Sequence, residues 1–273
     1  MELPLRAVFE APTVAGLASR LVDGGVSRPA LVGSTSADEL VPLSFAQQRL
    51  WFLHRLEGAG ATYNVPLAVR LRGVLDVSAL RAAWVDVVAR HEVLRTVFVD
   101  ADGPTRQRIQ PTSPAVELVR VDAGRLDAEV ADAARRPFDL TAEEPPLRVT
   151  LFEVGPEDHV LLVVLHHIAA DGWSFDPLVR DVSAAYAARI AGAEPGWSPL
   201  PVQYRDYAIW QRELLGDENA PDSVLAGQLG FWRDRLDGMP DLIPLPTDRP
   251  RPVVASFTGA GPSSPGARRC TPG

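Results

Sequence analysis

The sequence predicts an α/β fold in which a mixed β-sheet is flanked by helices. Three observations predict it. Stretches with apolar residues at helical spacing alternate with short runs rich in β-branched and aromatic residues. One run, HVLLVVLHH (159–167), is apolar between its terminal histidines, as expected of a central strand buried on both faces. Finally, 273 residues with 46% hydrophobic content supply enough apolar material for one sizeable core or two small ones.

Taken in order, residues 3–21 (LPLRAVFEAPTVAGLASRL) read as two short helical pieces separated by Ala11-Pro12-Thr13, with Leu17 and Leu21 at i,i+4 spacing in the second. That is too little to fold alone. Residues 22–40 are rich in Gly, Ser and small side chains without sustained periodicity, the composition of a flexible linker, so the compact domain begins near Val41. Ser44 with Gln47 three places later is a capping-box signature, and Phe45, Leu50 and Leu53 give a helix to about Leu56 its apolar stripe. Asp76 caps a second helix, in which Leu80, Trp84, Val87 and Val88 recur at helical spacing through Arg90. LRTVFVD (94–100) is then a strand, and RQRIQ (106–110), beyond the turn-rich residues 100–105, is its hairpin partner.

VELVRV (116–121) alternates like a strand, and DAEVADAARR (127–136) is a helix stopped by Pro137. LRVTLFEV (147–154) and the 159–167 run are strands joined by the turn residues 155–158. Ser174 opens a helix to about Ile190, and residues 204–215 and 223–236 form two more. The ending, GAGPSSPGARRCTPG (259–273), has no apolar pattern, and residues 260–273 read as disordered or out of frame.

Several function classes are disfavoured at once. No run approaches the length of a membrane span, and MELPLRAVFE lacks the basic and apolar regions of a signal peptide, so the cytoplasm is the expected location. The single cysteine, Cys270, provides neither a disulfide framework nor a multi-cysteine zinc site. A formal net charge of −8 opposes generic nucleic-acid binding.

The chemistry concentrates in His166-His167-Ile168-Ala169-Ala170-Asp171-Gly172, where a buried strand runs out into a loop. Successive side chains of a strand face opposite sides, so the two histidines do not share one cavity unless the strand breaks between them; either one is functional and the other structural, or this is a strand end with two satisfied histidines and a turn Asp-Gly. A turn at Ala169-Ala170 folds Asp171 back behind the site, and Gly172 lets a ligand or another chain pass close to the backbone. A metal reading of His166, His167 and Asp171 fails because adjacent strand histidines diverge and no third histidine lies nearby in sequence.

HHIAADGWS (166–174) resembles the HHxxxDG signature of the condensation domains of nonribosomal peptide synthetases and of the wider chloramphenicol acetyltransferase-like superfamily. SFAQQRLWFLHRL (44–56), RHEVLRTVF (90–98) and YRDYAIWQREL (204–214) resemble three further condensation motifs in the family's order. Residues 1–21 resemble the C-terminal end of a carrier domain. The resemblance implies a chloramphenicol acetyltransferase-like lobe over residues 41–259, cut off before the family's second lobe. It also implies amide formation: a donor carrier presents an acyl or peptidyl thioester, an acceptor carrier presents an aminoacyl thioester, and the amine attacks the thioester carbonyl. No cofactor is bound directly, since the substrates ride on phosphopantetheine arms of the carriers. Nucleic acid and membrane are not partners.

By the same resemblance His167 sits at the reaction centre, either accepting a proton from the attacking amine or donating a hydrogen bond to it. Asp171 points away from substrate and pairs with Arg95, fixing the loop that aims His167. His166 and Gly172 complete the motif, Arg90 and Trp173 support it, and Arg49 with Gln47 and Trp51 braces the channel floor. Tyr204, Tyr207 and Trp210, at i, i+3 and i+6, are packing residues. An epimerisation domain shares the histidine motif, but the WS after Gly172 and the SFAQQRLWFL opening (44–53) more closely resemble a condensation domain taking an L-configured donor. Two other readings remain: a free-standing acyltransferase using coenzyme A or a carrier, and a nonenzymatic lobe that docks carriers.

Overall fold

The computed structural model describes residues 5–20, 28–33, 40–100, 103–111, 116–240, 246 and 250. Cys270 and the expected tail at 260–273 lie outside the described residues, as does most of the expected linker. The chain divides into two compact units, Met1–Phe231 and Trp232–Gly273. Among the described residues every strand and the candidate site belong to the first.

Two short helices open it, α1 (Leu5–Glu10) and α2 (Val14–Ala18), the second capped by Thr13. Next come β1 (Leu40–Pro42), α3 (Phe45–Glu57), β2 (Asn64–Arg72) and α4 (Val77–Arg90). A 3-10 turn, Glu92–Arg95, leads into β3 (Thr96–Val99), followed by β4 (Arg106–Ile109), β5 (Val116–Arg120) and α5 (Leu126–Arg135). The hairpin β6 (Leu147–Gly155) and β7 (Asp158–His166) precedes α6 (Phe175–Ile190), α7 (Tyr204–Leu215) and α8 (Val224–Leu236). Among the described residues no helix is long and apolar enough to cross a membrane.

The helix starts follow from side-chain capping. Ser44 accepts a hydrogen bond from the Gln47 amide while the Gln47 side chain accepts from the Ser44 amide, and the Asp76 carboxylate accepts from the Ala79 amide at the start of α4. These bonds satisfy amides that a helix N-terminus otherwise leaves unpaired.

The strands form two sheets. One is three-stranded and antiparallel in the order β1-β4-β3; the other is four-stranded, in the order β2-β7-β6-β5. The second sheet is mixed, because β5 runs parallel to β6 while β6, β7 and β2 are mutually antiparallel. The sequence pattern assigns no strand to residues 58–75, yet β2 pairs with the full length of β7, Asn64 opposite His166 and Arg72 opposite Asp158. The reason is its place at the sheet edge. Much of β2 is exposed, which blurs the alternation, and Pro66 is tolerated where only one side of a strand is paired.

Strand β7 is interior and buried along nearly its whole length, and its alternation divides the core into two layers. Leu161, Val163 and Leu165 face Leu80, Trp84 and Val87 of α4 and Leu178 of α6. Val160, Leu162 and Val164 face the opposite way, toward Trp51 of α3, Phe98 of β3, and Phe138. Each such fully buried large side chain contributes about 1.5–3 kcal/mol. The C-terminal end of β7 is thereby held from both faces.

Candidate active site

Pairing of β7 runs one residue past the strand: the His166 amide donates to the Pro146 carbonyl at 3.0 Å, and the His167 amide to the Tyr63 carbonyl at 2.8 Å. The chain then turns, with the Ala169 amide donating back to the His166 carbonyl at 2.9 Å. Up to that point alternation holds, so His166 continues the Val160-Leu162-Val164 side and enters the core. It is 2% exposed, with Phe138 and His54 edge-on at 5.9 and 6.4 Å. Its Nδ1 accepts from the Ile168 amide at 3.1 Å. Burial, with His54 and His167 adding to it, lowers its pKa from 6.5 to about 4, so the ring is neutral.

His167 is exposed and lines a cavity of about 530 Å³ with Ala46, Arg49, Leu50, Tyr63, Asp171 and Tyr204 among its walls. Its Nδ1 lies 2.6 Å from the Ala170 carbonyl oxygen. A carbonyl only accepts, so Nδ1 carries the proton, and in the neutral ring Nε2 keeps the lone pair. The backbone thus sets the tautomer that a general base requires.

Asp171 does not pair with Arg95. Its carboxylate accepts from the Trp173 amide at 3.1 Å and from the Ser174 hydroxyl at 2.9 Å, while its own amide donates to Ser174 Oγ at 3.0 Å. These bonds close a 3-10 turn, Gly172–Ser174, that feeds α6. Asp171 is consumed as a cap. Arg95 is occupied elsewhere: its guanidinium donates to the carbonyls of Val88, in the last turn of α4, and Gln110.

The other expected residues divide. Arg49 lines the cavity, whereas Gln47 and Trp51 lie beneath it: Gln47 donates to Gln107 at 2.9 Å, and Trp51 packs on Phe98. Arg90 is not at the cavity. It donates to Asp181 at 2.9 Å and to the Ser198 carbonyl at 2.8 Å and lies over the Trp197 ring, which clamps α4 to α6. Trp173 is 89% exposed, and a Cβ placed on Gly172 would meet nothing within 4 Å, so the close approach expected there is not made by any described residue. Tyr204, expected as packing, lines the cavity and shares a 2.9 Å hydrogen bond with Ser44. Sequence reasoning missed Tyr63 as a wall residue, since it precedes an edge strand with a weak pattern. Among the described residues no three His, Cys, Asp or Glu side chains converge to hold a metal ion.

An interior strand of a mixed sheet thus ends in a backbone-oriented histidine that opens on a cavity. The condensation-domain family model matches residues 37–261, and the chain belongs to that family. It is 55% identical over 259 residues, 94% of its length, to "Probable non-canonical nonribosomal peptide synthetase (NRPS) CymA" of Salinispora arenicola, of which it covers 3%. It is 49% identical over 94% of its length to a dimodular nonribosomal peptide synthase of Bacillus subtilis, of which it covers 11%. Among solved structures, the X-domain of teicoplanin biosynthesis in complex with OxyB aligns with a TM-score of 0.77 at 42% identity, covering 85% of this chain and 51% of that one. The starter condensation domain of rhizomide synthetase, at 21% identity and a TM-score of 0.62, shares the fold. The chain therefore spans a small part of its curated relatives and about half of these solved chains.

Proposed function

We propose that this chain supplies the histidine-bearing side of an amide-forming condensation site. In this reading the amine of an acceptor-bound aminoacyl thioester attacks the carbonyl carbon of a donor-bound acyl or peptidyl thioester. Nε2 of His167 takes the proton that the nitrogen must lose; the C–N bond forms, the C–S bond breaks, and the proton passes to the departing thiolate. Both substrates arrive on phosphopantetheine arms of carrier domains. The observation that carries this reading is the His167 Nδ1 bond to the Ala170 carbonyl, which leaves Nε2 as acceptor on the cavity wall. We read residues 1–21 as the end of a carrier domain and 22–40 as the linker. In support, the alignment with CymA is longer than the stretch from residue 37 to the C-terminus and so takes in part of that opening.

The test joins the chain to the complementary half that its solved relatives possess and supplies donor and acceptor carrier proteins loaded with aminoacyl thioesters. Dipeptidyl product is followed by mass spectrometry. His167→Ala is expected to cut the rate by roughly 10²–10⁴, the range for a general acid–base group, with the melting temperature nearly unchanged. Full activity in His167→Ala would refute the assignment. A second reading, a docking module without turnover, draws support from the 42% identity to the X-domain solved with OxyB. Absence of product from the wild-type assembly would favour it.

A further inference from the structure

Tyr204 begins α7 and reaches back to Ser44, the cap of α3, through the 2.9 Å bond between their hydroxyls. Which hydroxyl donates follows from the surroundings. Ser44 is fully buried, and its Oγ already accepts the Gln47 amide at 3.1 Å. Its own proton needs an acceptor, because a buried hydroxyl left without one is costly. Among the described residues Tyr204 Oη is the acceptor in reach. Ser44 therefore donates and Tyr204 accepts, and among the described residues the Tyr204 proton has no partner. Tyr204 and His167 line the same cavity of about 530 Å³.

We infer that the Tyr204 hydroxyl is a hydrogen-bond donor into this cavity, where it binds and orients a carbonyl oxygen of the thioester substrate. The inference rests on the condensation reading, and it adds to His167 a second polar contact that addresses oxygen instead of the amine. The phenol is held in its protonated, donating form by burial first and by the nearby Tyr207 and Asp171, which together outweigh the Ser44 bond and raise its pKa above 10. A donor preset at the carbonyl is worth more in a water-poor pocket than in solution.

The test needs no turnover. An aminoacyl N-acetylcysteamine thioester, ¹³C-labelled at the thioester carbonyl, is titrated into the chain, with His167 ring resonances reporting occupancy and isotope-edited infrared reporting the carbonyl. A hydrogen bond lowers the carbonyl stretch of the bound probe. Tyr204→Phe is expected to return the stretch toward its free value and weaken binding roughly two- to tenfold, the scale of one neutral hydrogen bond. Ser44→Ala removes the α3 cap and lowers the melting temperature, yet retains the shifted stretch, because the Tyr204 hydroxyl is still present. Saturable binding with the same carbonyl stretch in wild type and Tyr204→Phe overturns the inference while leaving the condensation reading intact. Loss of the shift in Ser44→Ala as well as in Tyr204→Phe also overturns it, since the effect then belongs to the cap. A probe that leaves the His167 resonances unmoved overturns the condensation reading and this inference with it.

Discussion

Mild acid should destabilise this domain through His166. The ring is neutral in the folded state with its pKa near 4, against 6.5 when unfolded, so the unfolded chain binds the extra proton. Stability is complete above pH 6.5 and is lost as pH falls through the window down to about 4. The full shift corresponds to about 3 kcal/mol, of which about 2 kcal/mol is gone by pH 5. Near pH 5.5 the slope approaches one proton, roughly 1.2 kcal/mol per pH unit. The stabilisation from the depressed carboxyls Asp76, Asp139, Asp158 and Asp181 is present throughout this window and is lost only as pH falls below their ordinary 3.8. The assay is urea denaturation of wild type and His166→Leu at intervals from pH 7 to pH 5. His166→Leu loses the acceptor of the Ile168 amide and is less stable at pH 7, but its stability should fall less steeply with acid by about that slope. Parallel pH dependences for the two proteins, or an NMR titration of His166 near 6.5, would refute the reasoning.

Two further predictions concern charge pairs. Asp181 is 4% exposed and accepts from Arg90 at 2.9 Å and His91 at 2.8 Å; Asp181→Ala leaves the part-buried Arg90 guanidinium without its carboxylate and should cost about 3 kcal/mol, and a loss under roughly 1 kcal/mol by denaturant titration would show the clamp to be idle. Because Asp171 caps its own turn and Arg95 binds carbonyls, Asp171→Asn and Arg95→Ala should be additive within about 0.5 kcal/mol, whereas Asp171→Asn and Ser174→Ala should couple. A coupling above that between Asp171 and Arg95 would restore their pairing.

The features that sequence alone determines are those carried by local pattern. The capping box at Ser44-Gln47, the periodicity of 77–90 and the unbroken apolar run of β7 depend on neighbours a few residues apart, so the elements they define appear where expected. The ordered motifs place the chain in the condensation family, as the match over residues 37–261 shows. Alternation requires that adjacent histidines part, but which one enters the core follows from the registry of β7 between β2 and β6. Strand β2 is legible only as a partner of β7, because an edge strand needs neither a full apolar face nor an amide at every position. The partners of Asp171 and Arg95 were decided by competition among nearby groups: a carboxylate two residues from free amides caps them, and a guanidinium beside a helix end takes its unpaired carbonyls. Tyr204 and Ser44 lie 160 positions apart, and their meeting at the cavity of His167 came from tertiary packing, since no local signal spans that distance.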